Sequence, residues 1–235
     1  MKISILCPTR NRPHHIQAVY DSGMDTAKNK SDIDFSFYID NDDTLSESKF
    51  NEMNKLNIKV TKGDRICLSV MWNEAYKKAE GEILMHCGDD ILFKTKDWDE
   101  LIINAFNQYE DKIVLVGGND GSGKEVHDGK FFTHGFIHRN WVNAVGYFVP
   151  PYFSSDYNDT WLNDVARLVG RWHYIPELLT EHMHPAWKKR PDDQTDIDRC
   201  ARHYRDNVRQ LYDDLSYKRI EDAVKLQSYI LEFNS

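Results

Sequence analysis

Two adjacent carboxylates, Asp89 and Asp90, follow directly after an apolar run that reads ILMHC at residues 83–87. Neighbouring carboxylates repel each other, and each raises the pKa of the other unless a cation lies beside them. A hard divalent cation such as Mg²⁺ or Mn²⁺ removes that cost and commonly binds substrate phosphates as well. A solvated turn is the alternative, since Asp is common in turns. Because more carboxylates follow a second apolar run, at residues 40–43, the pattern favours a cation site.

The segment PTRNRP, at residues 8–13, follows the first apolar run of the chain. Pro8, Thr9 and Arg10 open it, and arginine offers planar, paired donors that suit a nucleotide base or a diphosphate. Asp40 opens the segment DNDD, where it could bind a base or a ribose, whereas Asp43 fits a helix cap. The alternatives are a surface loop for the first segment and capping alone for the second.

Basic residues stand at two further places. Lys62 and Arg65 follow the third apolar run and could offset the charge of a phosphate. An exposed basic pair without a ligand is equally compatible with the sequence. Lys188, Lys189 and Arg190 lie in a second segment, which could fold over a bound diphosphate.

Two histidines, His182 and His184, lie close together in the motif EHMHP. Neutral imidazole is a common ligand for metals of the Mn²⁺ type, which also accept carboxylates. We expect only one of the two to face the site, and the sequence does not decide which. A histidine exposed on a surface loop is the alternative.

Three carboxylates, Asp156, Asp159 and Asp164, lie in the segment SSDYNDTWLND. One of them, at the start of a helix that faces a crevice, could accept the proton of a hydroxyl group as a general base. Asp156 or Asp159 could instead cap the helix. The spacing alone does not decide which of the three carboxylates would act as the base.

The elements that must position these residues alternate along the first half of the chain. Strand-like runs occupy residues 3–7, 34–40, 58–62, 82–87 and 112–118. Helical patterns lie between them, after Pro13 and over residues 44–56, 68–79 and 97–109. Capping boxes at residues 44–47 and 97–100 are predicted to begin two of these helices. This rhythm predicts an α/β fold with a mostly parallel sheet flanked by helices. Ligands of such sheets bind at the carboxyl ends of the strands.

The second half of the chain is less regular. Residues 119–130 are rich in turn formers, a strand is predicted within 131–138, a helix over 161–170 and a strand over 171–176. One or two polar helices are predicted after about residue 196. Eight aromatic residues crowd this half, where some belong to the core and others could stack on a sugar or a base; they are Phe131, Phe132, Trp141, Tyr147, Tyr152, Phe153, Tyr157 and Trp161.

Bulk properties narrow the choice of class. The 235 residues, 40% of them hydrophobic, suffice for one substantial core. The formal net charge of -8 gives no general electrostatic footprint for nucleic acid, so an anionic ligand needs a local cluster or a metal. No apolar run reaches membrane length, and the stretch before Pro8 is too short for a signal peptide. The four cysteines show no CxxC pair, so we expect free thiols and a cytoplasmic location without a membrane.

Taken in order, four segments resemble nucleotide-sugar glycosyltransferases of the GT-A fold, close to the family-two group. The similar segments are ISILCPTRNRP, YIDNDD, NEAYKKAEGEILMHCGDDIL and YNDTWLNDVARLVGR. The resemblance covers roughly residues 2–187. It implies a Rossmann-like fold and inverting transfer of a sugar, with UDP-sugar as the expected donor and Mn²⁺ or Mg²⁺ as cofactor.

The resemblance also implies roles for single residues. Asp90 would bind the metal, and His184 would be a further metal ligand. Asp89 would lie close to the ribose or the sugar of the donor, and Asp159 would be the general base. The residues around the nucleoside would be Pro8, Thr9, Arg10 and Asp40.

The chain departs from the family pattern in two places. Gly88 or Cys87, depending on register, stands where the first acid of the D-x-D signature is expected. Asn158 stands in the first position of the acidic pair that ends at Asp159. The implied organisation is a transferase domain over residues 1–195, made of a donor half (1–118) and an acceptor half (119–195), with a helical extension over 196–235.

Other functions stay open on the sequence. A nucleotide-sugar-binding module without catalysis would explain the missing first acid. A nucleotidyltransferase is disfavoured, because CPTRNRP has no glycine. The acceptor could be a glycan, a protein or a hydroxylated base in DNA. For DNA the sequence offers one basic cluster, diluted by nearby Asp residues: Lys188, Lys189, Arg190, Arg199, Arg202, Arg205 and Arg209.

Overall fold

The computed structural model describes residues 1–122 and 131–235, so that most of the predicted loop at 119–130 lies outside the described residues. The described strands are β1 (Ile3–Pro8), β2 (Ile33–Asp40), β3 (Ile58–Gly63), β4 (Ile83–His86), β5 (Ile91–Phe93), β6 (Leu115–Asn119), β7 (Phe136–His138) and β8 (Trp172–His182). The described α-helices are α1 (Pro13–Thr26), α2 (Thr44–Met53), α3 (Leu68–Tyr76), α4 (Trp98–Asn107), α5 (Arg139–Val145), α6 (Asn158–Leu168), α7 (Gln194–Arg205), α8 (Val208–Asp214) and α9 (Ser216–Phe233).

The strands form one mixed sheet in the order β3-β2-β1-β4-β7-β6-β8-β5. Strands β3, β2, β1 and β4 run parallel, and β6 pairs with β8 in parallel. Strand β7 is antiparallel to β4 and β6, and β5 is antiparallel to β8. All residues of β1 and β2 are buried, as expected for strands with helices on both faces. The predicted α/β fold, with a mostly parallel sheet and C-terminal helices, is confirmed.

The register of the parallel strands brings the polar segments together. Pro8 at the end of β1 pairs with Tyr38 of β2, and Leu6 pairs with His86 at the end of β4. The chain therefore leaves β1, β2 and β4 along the same edge of the sheet. The segments that begin at Thr9, Asp40 and Cys87 meet at this edge.

Three details of the predicted strands are wrong. The fifth predicted strand begins at Leu115 rather than at residue 112, because Lys112 adopts a positive φ of 61° and the chain turns there. The predicted strand at 171–176 continues to His182: the ladder shifts register near Pro176 and then resumes. The short strand β5 was not predicted, because its three residues are stabilised by pairing with the distant end of β8.

The predicted starts of α1 to α4 agree with the structure within one residue, whereas the helix predicted over 161–170 begins earlier, at Asn158. Asp43 is the N-cap of α2, as predicted, and its carboxylate accepts a hydrogen bond from the backbone N–H of Ser46 at 3.0 Å; the capping box predicted at Thr44 is wrong. Asp97 stands at the N-cap of α4 with a φ of 56°, without a side-chain cap bond. The carboxylate of Asp99, two residues later, accepts a hydrogen bond from the backbone N–H of Lys28 at 2.8 Å.

Two hydrophobic clusters form the core, and one of them includes the C-terminal helix. Leu226 and Ile230 of α9 belong to the cluster that contains Trp161 of α6 and Trp141 of α5. The predicted boundary between residues 195 and 196 falls within α7. The described residues include no helix that is both long enough and apolar enough to span a membrane.

We expect Leu226→Ala to lower the free energy of unfolding by about 2–5 kcal/mol, because it removes a fully buried side chain from this cluster. Urea denaturation measures the change. Ile220→Ala on the same helix is the matched control: Ile220 is 58% exposed, and its replacement should change the free energy by less than about 0.5 kcal/mol. Equal effects of the two substitutions would contradict the packing of α9 against the domain.

Candidate functional site

A cavity of about 480 Å³ lies at the edge of the sheet where β1, β2 and β4 end. Its walls include the predicted residues Pro8, Thr9, Arg10, Asp40, Arg65, Asp89, Asp90, Asp159 and His184. Lys62 does not line the cavity; its ammonium group lies 2.8 Å from a carboxylate oxygen of Glu47. All the other predicted site residues therefore share one cavity.

One end of the cavity is formed by the loops after β1 and β2. Arg10 donates hydrogen bonds to Asp40 and Asp42, each at 2.6 Å. Asp40 is 1% exposed, and burial raises its pKa although Arg10 acts in the opposite direction. The second carboxylate oxygen of Asp40 has no partner among the described residues. This end therefore offers a buried acceptor to a polar ligand.

Asp89 is held in place by its neighbours. The hydroxyl of Thr9 donates to Asp89 at 2.7 Å, and Arg12 donates to it at 2.8 Å. Arg12 is buried and also donates to Asp193 at 2.7 Å and to Asp196 at 2.8 Å. The sequence places Arg12 in the segment PTRNRP, but it gives no sign that this arginine has three carboxylate partners.

Asp90 contacts two cationic or potentially cationic groups. One carboxylate oxygen lies 3.2 Å from Nε2 of His182, and Arg190 donates to the other at 3.2 Å. Burial is the largest single effect and works against the charged form of Asp90, but His182, His134 and Arg12 together outweigh it, and the pKa lies well below its usual range. Asp90 is therefore an ionised carboxylate at the centre of the site.

Histidines surround Asp90 more densely than the sequence indicates. The expectation that only one of His182 and His184 faces the site is wrong, since both line the cavity. Side chains two positions apart share one face of an extended chain, and β8 is extended up to His182. The structure places His182, rather than His184, against Asp90, while Nδ1 of His184 accepts a hydrogen bond from Ala186 at 3.1 Å.

Two further histidines of the cavity, His86 and His134, were not predicted. Burial lowers the pKa of His86 to about 3, that of His184 to about 4, and that of His134 well below its ordinary value. All three are therefore neutral imidazoles at pH 7. Nε2 of His134 is buried without a partner among the described residues. The motif THGFIH is the signal in the sequence that could have drawn attention to His134.

The donor set around Asp90 fits a divalent cation in part. In the described ranges, no three side chains of His, Cys, Asp or Glu are arranged to hold a metal by themselves. Magnesium and manganese sites in phosphate-binding enzymes commonly use one or two protein ligands and take the others from the substrate and water. Asp90 with one imidazole is compatible with such a site. A Cβ at Gly88 would lie 3.0 Å from Oδ1 of Asp90, so an acid at this position would require a small shift of the Asp90 side chain.

Asp159 also lines the cavity, in the first turn of α6, and the charge of His182 acts on it. Its carboxylate accepts hydrogen bonds from the following residue, Thr160, whose N–H donates at 2.8 Å. Burial raises the pKa of Asp159 to about 6, and the charge of Asp156 acts in the same direction. A carboxylate with this pKa is ionised at pH 7 and basic enough to accept a proton from a hydroxyl group.

The structure separates Asp159 from the other two acids of its segment. Asp156 lines the cavity but is bound by Arg199 at 2.5 Å and by His203 at 2.6 Å. Asp164 is bound by the hydroxyl of Tyr212 and does not line the cavity. Neither Asp156 nor Asp159 is the N-cap of α6; that position belongs to residue 157. Of the three, Asp159 is thus the cavity carboxylate without an ion pair among the described residues.

Residues 188–205 cover part of the cavity. Besides the contacts of Arg190 with Asp90 and of Arg12 with Asp193, the hydroxyl of Thr195 donates to the backbone carbonyl of Arg10 at 3.0 Å. Helix α7 has one buried residue, Asp196, so polar contacts rather than apolar packing hold it in place. We name residues 188–205 the covering segment.

The parallel strands β3-β2-β1-β4, the antiparallel β7 beside them, and the cavity with acidic residues at the strand ends together define the GT-A glycosyltransferase fold. The resemblance of fold expected from the sequence is confirmed. No family model and no curated protein matches the chain.

Two solved structures illustrate the likeness. The mannosyltransferase PcManGT from Pyrobaculum calidifontis, in complex with GDP-Man and Mn²⁺, matches 97% of this chain and 73% of its own chain, with a TM-score of 0.66 and 13% identity. TarS 1–349 from S. aureus, in complex with UDP-GlcNAc, matches 77% of this chain and 57% of its own, with a TM-score of 0.60 and 17% identity. This chain covers 60% of the chain in another structure of TarS 1–349. It covers 36% of the chain in a TarS structure that is not limited to residues 1–349. At these identities the likeness establishes the fold alone.

The raised pKa of Asp159 predicts a dependence of stability on pH. In the unfolded chain its pKa is about 3.9, so the folded state retains the proton to higher pH and the wild type loses stability as pH rises from about 4 to about 6. We expect the free energy of unfolding of Asp159→Asn to exceed that of the wild type by about 1 kcal/mol at pH 8. This figure is smaller than the full pKa shift would give, because Asp159 is partly exposed and solvent screens its charge. At pH 4 we expect no such gain.

Urea denaturation at both pH values measures this difference. Asp213→Asn is the control, because Asp213 is exposed and its replacement removes the same charge outside the cavity. A gain for Asp159→Asn that is equal at both pH values would show that the proton affinity of this carboxylate is not raised by folding.

Proposed function

We propose that the protein is a metal-dependent glycosyltransferase that moves a sugar from a nucleotide-diphosphate donor to an acceptor hydroxyl with inversion. The observation that carries the proposal is the sharing of one cavity by Asp90, an ionised carboxylate among imidazoles, and Asp159, a carboxylate with a pKa of about 6. The first suits the diphosphate end of a donor, and the second suits activation of an acceptor. Their combination favours an enzyme over a module that only binds.

The nucleoside of the donor is proposed to lie against the loops after β1 and β2. There Pro8, Thr9 and Arg10 form one wall and Asp40 presents an unpartnered carboxylate oxygen to a base or a ribose. Arg65 lines the same end of the cavity and remains a proposed donor contact. A UDP-sugar is the proposed donor. For Lys62 the ion pair with Glu47 weakens the case, because the ammonium group would have to leave its partner.

The diphosphate is proposed to lie beside Asp90. His182 is in contact with Asp90, and His184 lines the same wall, so either imidazole could complete the protein's share of a site for Mn²⁺ or Mg²⁺. When bound, such a cation would offset the negative charge that develops on the leaving diphosphate. Asp89, held by Thr9 and Arg12, would keep its carboxylate fixed close to the ribose or the sugar.

In the proposed transfer Asp159 accepts the proton of the acceptor hydroxyl. The acceptor oxygen forms a bond to the anomeric carbon while the bond from that carbon to the phosphate oxygen breaks on the opposite side of the ring. A nucleoside diphosphate leaves with the electron pair of the broken bond. A single displacement of this kind inverts the configuration at the anomeric carbon. The remaining rate enhancement comes from holding donor and acceptor in line within the cavity.

Other readings receive less support. A binding module without catalysis fits the glycine at position 88, but it gives no role to the elevated proton affinity of Asp159. For an acceptor base in DNA, the basic cluster is largely engaged within the protein: Arg190 binds Asp90, Lys189 lies 2.7 Å from Glu181, and Arg199 binds Asp156. A cytoplasmic location is proposed with the function, because the four cysteines are unpaired and a reducing compartment keeps them so.

We expect Asp159→Asn to reduce transfer by about 100- to 10,000-fold, because the amide cannot accept the acceptor's proton. Binding of UDP should stay within about twofold of the wild type, since the nucleoside is proposed to lie against the loops after β1 and β2. Release of UDP from UDP-sugar in the presence of Mn²⁺ and a panel of sugar acceptors measures transfer, and calorimetry measures binding. Asp213→Asn should behave like the wild type. Full turnover by Asp159→Asn would exclude this carboxylate as the base.

We expect UDP to bind in the presence of Mn²⁺ and to lose affinity by about tenfold or more when the metal is chelated, because a cation held by Asp90 would offset the charge of the diphosphate. Asp90→Ala should bind UDP as weakly as the metal-free wild type, whether or not metal is added. Calorimetric titrations with UDP and GDP, each with Mn²⁺, with Mg²⁺ and with a chelator, make this comparison. Binding that is indifferent to metal in the wild type would argue against a metal at Asp90.

A further inference from the structure

Helix α7 presents a row of arginines to the cavity. Arg199, Arg202 and Arg205 follow at intervals of three residues, so they lie on one side of the helix, and all three line the cavity. Arg65, from the loop after β3, reaches the same region. Four guanidinium groups thus converge on one part of the cavity wall.

Three of these four arginines have a carboxylate partner. Arg65 donates to Asp198 at 2.8 Å, Arg199 to Asp156 at 2.5 Å and Arg205 to Asp206 at 2.6 Å. Each of these charges is offset within the protein. They shape the cavity wall but leave no net positive charge of their own.

Arg202 differs from the other three. Its Nε donates to the backbone carbonyl of Ser154 at 3.2 Å, and within the described residues its two terminal nitrogens make neither a hydrogen bond nor an ion pair. Burial lowers the pKa of Arg202, and the charge of Arg65 lowers it further. An arginine nevertheless remains protonated in proteins. The terminal nitrogens are not among the buried unsatisfied atoms of the described residues, so they are accessible to the oxygens of an acidic ligand.

The contact of Arg202 with Ser154 favours the acceptor as the source of that acidic group. The charges of Arg65 and Asp40, which belong to the proposed nucleoside end, also act on Arg202, so UDP affinity has to be measured beside acidic-sugar affinity. Ser154 and Asp156, the contacts of Arg202 and Arg199, belong to the loop that leads into α6 and to the proposed base Asp159. The acceptor hydroxyl has to lie beside Asp159 for its proton to be taken. The proposed place of the diphosphate, by contrast, is beside Asp90, where Arg190 already supplies a guanidinium.

We propose that Arg202 is a specificity residue for the acceptor: its terminal nitrogens bind an acidic group, a phosphate, sulfate or carboxylate, carried by the acceptor carbohydrate. This inference rests on the proposed glycosyltransferase function. The fork of two N–H groups matches two oxygens of such a group, and Nε remains on Ser154 to hold the orientation. An uncharged sugar would leave the guanidinium unpaired.

The test is calorimetric titration of the protein with UDP and Mn²⁺ at saturation. The titrants are glucose 6-phosphate, glucose 6-sulfate and glucuronate, with glucose as the uncharged probe and inorganic phosphate as the anion without a sugar. We expect at least one acidic sugar to bind about tenfold or more tightly than glucose and more tightly than inorganic phosphate. Arg202→Gln should remove that preference, and Arg202→Lys should restore part of it.

Two controls separate this site from the donor site and from general charge effects. Arg209→Gln removes a charge from an exposed position outside the cavity and should alter neither UDP nor acidic-sugar affinity. Arg202→Gln should bind UDP within about twofold of the wild type. Thermal unfolding of each variant confirms that it is folded before titration.

The outcomes discriminate clearly. Acidic sugars that bind no better than glucose, or that bind Arg202→Gln as tightly as the wild type, would overturn the proposal while UDP binding upholds the proposed function. If Arg202→Gln lost affinity for UDP and for acidic sugars equally, Arg202 would be a contact of the donor, and the proposal would be overturned as well. A single-stranded oligonucleotide that binds through Arg202 more tightly than any acidic sugar would replace the carbohydrate by a nucleic acid. Absence of UDP binding in the wild type would instead refute the proposed function.

Discussion

The site depends on compensation of negative charge where the central strands end. Asp89 and Asp90 are both buried or nearly so, and each is held by a guanidinium, Asp89 by Arg12 and Asp90 by Arg190. An isolated buried carboxylate is strongly unfavourable, and removal of one partner from such a pair leaves the other uncompensated. Asp196 contacts both arginines and so joins the two pairs. The arrangement offsets the negative charge of both adjacent carboxylates within the protein.

The same pairs determine how the covering segment is attached. Asp193 and Asp196 bind Arg12, which comes from the loop after β1, and Arg190 reaches Asp90. Helix α7 has little apolar surface to bury, so its position follows from these charges and from the hydroxyl of Thr195. A ligand that brings its own cation and its own anion to the cavity competes directly for these partners.

The helix that carries Asp159 is held by buried contacts. Trp161 of α6 is buried and donates to Asp222 of α9 at 3.0 Å, and Tyr147 also donates to Asp222. These bonds tie α9 to the helix that carries Asp159. The C-terminal helix therefore has a part in positioning the proposed base although it lies far from the donor end. One side of the cavity is held by apolar packing, and the other is covered through exchangeable ion pairs.

Much of the fold followed from local patterns. Strands β1, β2 and β4 are short apolar runs whose ends carry the polar residues, and a parallel sheet brings such ends to one edge whatever the details of packing. For this reason Thr9, Asp40 and Asp89 could be assigned to one site from the sequence. Spacing left Asp159 as one of three carboxylates, because spacing along a helix start does not reveal which carboxylate is paired, and the family resemblance alone singled it out.

The sequence by itself determined the class of fold, the edge of the sheet where ligands bind and most of the polar residues at that edge, because these depend on the alternation of apolar and polar residues along the chain. Only the tertiary structure decided the partners of the charges. Arg12 meets Asp193 across 181 positions, and β5 exists because it pairs with the end of β8. It also showed that His182 touches Asp90 and that Arg202 has no carboxylate partner within the described part of the chain. Such contacts join distant segments through space, and local periodicity contains no information about them.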